Sequence, residues 1–267
     1  MNKVFSAGNK FYLLGGLMLV ITSCSKDLED AQLALNQKVE AVEVKTILET
    51  DEYLGAVDDV VTELFQSGAS AKSSQKIDCY TADFSETGYT VTFDNCNVEE
   101  GGESITGTIM VTYNIGEEDS AFTATYSDLM VGQITVNGTR SFTLNSSANQ
   151  ESFEFTILSD MSIELEDGSL IEESGQKDFG ITIDSENFLN SALSVSGNWT
   201  IKADGNTYIV TTTSPLEIKL NCENIGKGNM KLNKNGLEVT LNFGDGTCDD
   251  LVTLTYPNGV SEEISFE

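Results

Sequence analysis

The chain of 267 residues has no histidine, two prolines, one tryptophan and one arginine, Arg140, and its 14 basic residues stand against 43 acidic ones. Each shortage removes some chemistry. Without histidine there is no Ser-His-Asp or Cys-His mechanism, no His-ligated zinc and no ordinary general base near neutral pH. With a formal charge of −29 and no cluster of Lys or Arg, the chain repels a phosphate backbone, so nucleic acid is not an expected partner. Proline removes a donor from a β-ladder, and its scarcity suits a sheet protein. Long apolar runs are few, and the one that stands out, Phe11 to Ile21, is too short to span a bilayer as a helix. There is no P-loop, no dinucleotide fingerprint and no nucleophile elbow with a usable base. Hydrophobic residues still make up 39% of the chain, which is enough for a packed core.

Lys3 and Lys10 flank a short positive start, the apolar run follows, and Thr22-Ser23 supplies small residues before Cys24. That order is a secretory signal. The run Ile21-Thr22-Ser23-Cys24 resembles the lipobox of bacterial lipoproteins. The resemblance implies that residues 1–23 are removed, that Cys24 becomes the first residue, and that its thiol and new amine are acylated. Two or three acyl chains, at ~0.8 kcal/mol per buried CH₂, hold such a chain to a membrane. Removing residues 1–23 takes away two lysines and no acid, which moves the charge from −29 to −31, so the anchor is lipid and not electrostatic. Ser25 stands where an aspartate would resemble an inner-membrane retention signal, which favours the outer membrane. The segment Ser25-Lys26-Asp27-Leu28-Glu29-Asp30 looks like the lysine-plus-acid tethers that send lipoproteins of Bacteroidetes to the cell surface.

From residue 24 to 74 the pattern is an acidic tether, helix and linker. Tyr53, Leu54, Val57, Val60, Val61, Leu64 and Phe65 recur at spacings of three and four and predict a helix ending near Ser67-Gly68. Leu28, Ala31, Leu35, Val39 and Val42 suggest an earlier helix, with Glu49-Thr50-Asp51 as a break and a new cap. The helical part reads as a stalk or as a cap on the domain. After the small-residue linker 68–74, residues 75–267 alternate at period two, as strands with one buried face do. Examples are Tyr89/Val91/Phe93, Phe153/Phe155/Ile157, Leu193/Val195/Trp199/Ile201, Leu216/Ile218/Leu220 and Leu237/Val239/Leu241/Phe243. Asn137-Gly138, Asp167-Gly168, Asp204-Gly205, Asn235-Gly236 and Asn258-Gly259 read as turns between them. The fold class is therefore mainly β: about 14 to 16 antiparallel strands in a curved sheet, a sandwich or a partly open barrel, as one domain or two subdomains, after one or two N-terminal helices.

Apart from Cys24 there are four cysteines, an even number in an exported chain. Of the three connectivities, Cys79–Cys96 and Cys222–Cys248 are expected, because each pair brackets one or two adjacent strands. Closing loops of this size contributes ~3 kcal/mol apiece. Asn242-Phe-Gly-Asp-Gly-Thr-Cys-Asp-Asp250, followed by Val252-Thr-Leu-Thr-Tyr-Pro-Asn-Gly259 and preceded by Val131-Gly-Gln-Ile-Thr-Val-Asn-Gly-Thr-Arg140, resembles a group of uncharacterised, flavobacterial-type lipoproteins of Bacteroidetes with an F-G-D-G-x-C-D motif. That resemblance covers roughly residues 79–266 and implies a location and a fold, with no catalytic residue to carry over.

Within the motif, Asp245, Asp249 and Asp250 with two glycines form a candidate calcium loop, since Ca²⁺ takes six to eight oxygens. An Asp-Gly hairpin turn explains the same residues. Glu164/Glu166/Asp167 and Glu172-Glu173 read as solvated strand ends, and Trp199 with most Phe and Tyr as core. The leading expectation is a lipid-anchored β protein of the outer membrane or cell surface that is not an enzyme and acts as a structural module or binds a glycan or a protein. A periplasm-facing carrier of lipid or of outer-membrane proteins is the second expectation. A histidine-free hydrolase of glycans using two carboxylates is the third.

Overall fold

A computed structural model describes residues 38–66, 75–77, 79–97, 103–113, 120–145 and 152–265. Fourteen strands pair in the order in which they occur: β1 Gln75–Ile77, β2 Tyr80–Ser85, β3 Gly88–Asn97, β4 Ser104–Tyr113, β5 Ser120–Val131, β6 Ile134–Asn145, β7 Ser152–Glu164, β8 Leu170–Thr182, β9 Ala192–Ala203, β10 Asn206–Lys219, β11 Lys227–Lys234, β12 Leu237–Asp245, β13 Leu251–Thr255 and β14 Ser261–Ser265. Every pairing is antiparallel. The product is one open sheet, neither a sandwich nor a closed barrel, with β1 and β14 at its edges. Both edges are short, and Glu262 and Glu263 put charge on β14, which discourages pairing with another chain.

The turns follow from residue chemistry. Asp204-Gly205 and Asn235-Gly236 have positive φ at both positions, 51° and 75°, then 50° and 101°, as a two-residue type I′ hairpin requires. Asn137-Gly138, expected to be a turn, lies inside β6. Asp128 bulges there at φ 47°, and the Asn137 side-chain oxygen accepts its N–H at 2.8 Å. The asparagine thus serves a ladder donor that the bulge has displaced.

Among the described residues one helix, α1 (Ala41–Gln66), precedes the sheet. At its start the Glu43 carboxylate accepts the Glu40 N–H at 2.9 Å, the reach-back half of a capping box. The helix runs unbroken through Glu49-Thr50-Asp51, where the sequence pattern predicted an end. Thr50 is fully buried and donates its hydroxyl to the Thr46 carbonyl at 2.8 Å, so the helix itself satisfies the group that suggested a cap. Val44, Ile47, Thr50 and Leu54 carry one buried stripe across the expected break. The earlier helix expected over Leu28 to Val42 falls mostly outside the described residues.

Val39, Val44, Ile47 and Leu54 share one core with side chains from Ala82 on β2 to Leu254 on β13. The helix is therefore a layer of the β domain and not a stalk, and the boundary expected at residue 74 does not separate two cores. It crosses the strands: Asp58 meets β5 and β6, Glu43 meets β10 and β11, and the Val39 carbonyl meets Tyr256 beyond β13. From Val39 to Asp58 is ~28 Å of helix. From β6 to β13 is ~34 Å across a flat sheet. The small shortfall fits a helix laid across a gently curled sheet.

Candidate functional site: helix latches, a buried ion pair and an apolar ledge

Two helix carboxylates, fifteen residues apart, are each held by a cation and a tyrosine from the sheet. Arg140 Nη1 lies 2.5 Å from Asp58 and also donates to the Leu54 carbonyl at 3.4 Å, while the Tyr126 hydroxyl donates to Asp58 at 3.2 Å. Lys234 Nζ reaches Glu43 at 2.6 Å and the Tyr208 hydroxyl donates to it at 2.7 Å. Burial pushes Glu43 up, but hydrogen bonds from Lys234, Tyr208 and the Glu40 amide outweigh it and hold the carboxyl below its usual range. Burial, then the hydrogen bond to Glu43, raises the Tyr208 hydroxyl; burial, then the Asp58 charge, does the same at Tyr126. Tyr256, partly buried and bonded to Glu262, is pushed up to about 12.

Between the latches, β8 carries a buried ion pair. Lys177 Nζ lies 2.5 Å from Glu173, and both side chains are almost wholly excluded from solvent. Four residues apart on a strand they share a face but stand ~13 Å apart at Cα, so the two side chains must reach toward each other over the intervening Gly175. A Cβ at Gly175 would lie 2.5 Å from the Trp199 Cα and the Asn198 carbonyl oxygen, and its φ is 140°. Trp199, the Cα partner of Gly175, presents its ring 4.8 Å from Lys177 Nζ. The second Glu173 oxygen has no hydrogen-bond partner among the described residues, so the charge is balanced by Lys177. Glu173 is thus not the solvated strand end expected from its acidic neighbourhood. Period-two alternation turns it inward, while Glu172 faces out to Lys202 at 2.8 Å.

Above this level the helix side of the sheet stays apolar. Unbroken registers over β6 to β9, and the β9–β10 pairing beyond its bulge between Thr211 and Leu216, put Leu144, Phe155, Phe179, Val195 and Leu216 in one cross-strand row, and Phe153, Ile181, Leu193 and Ile218 in the next. These rows stand ~14 and ~20 Å along the strands from Ser159, the Cα partner of Arg140. The helix, with a radius of ~5–6 Å, does not extend that far, and of these nine residues only Leu216 is buried in the core. Leu144, Phe153 and Leu193 keep 49%, 47% and 40% of their surface exposed. Phe155 and Phe179 stack with centroids 5.1 Å apart. The chain linking β8 to β9 adds exposed Phe188 and Leu189 on a 3₁₀ turn, Phe188–Asn190. The reading of Phe153, Phe155, Leu193 and Leu220 as core is corrected accordingly: they are in phase with the core but lie beyond the layer that would cover them, with Leu220 exposed as well.

The remaining candidates divide as follows. Cys79–Cys96 and Cys222–Cys248 are disulfides, with Cα atoms 4.9 and 5.2 Å apart. The first ties the start of β2 to the end of β3; the second clips the β10–β11 connection to the β12–β13 connection. Asp245 accepts from the Thr247 hydroxyl at 3.0 Å, Asp249 from the Leu251 N–H at 3.2 Å, and Asp250 from the Ser265 hydroxyl. The three aspartates thus have separate partners, and no group of three His, Cys, Asp or Glu placed to hold a metal occurs among the described residues. Cys24 lies outside the described residues. No described helix is long and apolar enough to cross a membrane. The fold and its surface define a disulfide-clipped, single-sheet β protein with a helix latched across one face and an apolar ledge beside it. No family model, curated protein or solved structure matches the chain.

Proposed function

We propose that this protein is a bacterial outer-membrane lipoprotein, anchored through Cys24, that acts as a non-enzymatic binding module with the ledge as its contact surface. The observation that carries the reading is the pair of apolar rows on β6 to β10, in which Leu144, Phe153 and Leu193 stay 40–49% exposed. A contiguous apolar face that stays partly exposed marks a place of contact. The anchor rests on Ile21-Thr22-Ser23-Cys24 and on the resemblance of the chain to lipoproteins of Bacteroidetes. The helix fills the middle of the sheet face, so the geometry favours a ledge that receives a partner from outside over a carrier with a deep cavity. Two measurements test this in intact cells. Alkyne-palmitate labelling should vanish in Cys24→Ala. A photo-crosslinking residue at position 193 should yield adducts that one at position 156, on the opposite face, does not; equal yields at both positions would sink the ledge as a contact surface.

A further inference from the structure

Charge decides what the ledge can hold. Asp184 and exposed Glu186 lie in the connection that follows β8, and exposed Glu223 in the one that follows β10, both at the end of the sheet where the apolar rows stand. Among described bases at this end, Lys219 donates to the Gly246 carbonyl and Lys227 is paired with Glu217. The rim is acidic on a chain already at −29. A second copy would bring like charge to like charge, and so would an anionic headgroup.

We propose that the ledge binds an apolar polypeptide segment flanked by lysine or arginine: the apolar side chains lie on the Phe153–Leu193 rows, and the flanking cations meet Asp184, Glu186 and Glu223. This rests on the ledge being a contact surface, as argued above, and adds the class of partner. The occupant is extended or helical protein, and its basic ends distinguish it from a fatty acid or a phospholipid. The ledge gives affinity by burying apolar area, and the rim gives selection and encounter rate.

The test uses the full lipidated chain in phosphatidylcholine nanodiscs, with empty nanodiscs as blank. The probes are a fluorescent leucine and phenylalanine peptide with lysines at both ends, the same peptide with glutamates at both ends, and a fluorescent fatty acid. The lysine-flanked peptide should bind about tenfold more tightly than the glutamate-flanked one at low salt, the order that a few exposed ion pairs supply, and the ratio should shrink as salt is raised. Phe153→Ser with Leu193→Ser, at half-exposed positions that leave the core intact, should weaken both peptides at unchanged Tm. Glu186→Gln with Glu223→Gln should instead bring the ratio of the two toward one. Equal binding of both peptides to the wild type, or binding of the fatty acid alone, overturns the basic-peptide assignment and leaves the ledge as a contact surface. Binding of no probe overturns both.

Discussion

Lys177 and Glu173 offer the sharpest check on the packing beneath the helix. Both are buried, and Glu173 has one described partner, Lys177. Replacing Lys177 with Met leaves a buried carboxylate without its cation and also removes the contact with Trp199. Breaking a buried pair from one side costs about 3–5 kcal/mol. Replacing Glu173 with Leu strands the ammonium and should cost a similar amount. The double replacement removes both charges at once and puts apolar volume over Gly175, so it should recover most of the loss and come within about 1 kcal/mol of wild type or above it. Trp199 is the single tryptophan and lies against the pair, so its emission during urea unfolding reports on this cluster directly. For a chain of this size each single change should move the midpoint down by roughly 1–2 M urea. Single variants that unfold within about 0.5 kcal/mol of wild type, or a double variant worse than either single one, would refute a closed ion pair at this position.

Three further outcomes follow from the same geometry. Glu43 is held below its usual 4.5 by Lys234, Tyr208 and the Glu40 amide, so the unfolded chain binds the proton first; the stability given by this latch is complete above about pH 4.5 and is lost as the pH falls through the lower folded value. Glu43→Gln should lower Tm at pH 7 and flatten that acid limb, as followed by circular dichroism. Gly175→Ala, with no room for a Cβ against the Trp199 backbone, should cost more than about 1 kcal/mol in the same urea titration. Calcium at millimolar concentration should move Tm by less than about 1 °C, because Asp245, Asp249 and Asp250 each accept from a different local donor.

Much of the sheet was legible because a strand's signal is local. Alternation at Tyr89/Val91/Phe93 and at Leu237 to Phe243, the Asp-Gly and Asn-Gly hairpins and the cysteine spacings all act within a few residues or across one hairpin. What alternation reports is a face and not a layer. Phe153 and Phe155 have the same pattern as Val91 and Phe93, and only the path of the helix over the sheet separates a ledge from a core. The latches were illegible for a related reason. Asp58 meets Arg140 across 82 residues and Glu43 meets Lys234 across 191, and no local propensity ties such pairs together. Glu173 and Lys177 are closer, but in an acid-rich chain an inward glutamate looks like its outward neighbours until the register places it over Gly175.

The two faces of β7 to β9 bear on the proposal that the ledge is a contact surface. At the same height as Phe153, Phe155 and Phe179, the opposite face carries Glu154, Thr156, Asp178 and Ser194, with the Thr156 hydroxyl bonded to Asp178 at 2.7 Å. The backbone ladder is equally well served by either set, since its hydrogen bonds do not depend on the side chains. Strands of 12 to 13 residues are ~40 Å tall, whereas a helix covers ~10–12 Å of that height. Polar residues would therefore be the stable choice on both faces above the helix if the domain had to satisfy only itself. Phe153, Leu193 and their neighbours keep the amphipathic alternation going where the described residues provide no second layer. The free energy that would be gained by covering them is left for contact with another molecule, and the acids around the ledge restrict which molecule that is.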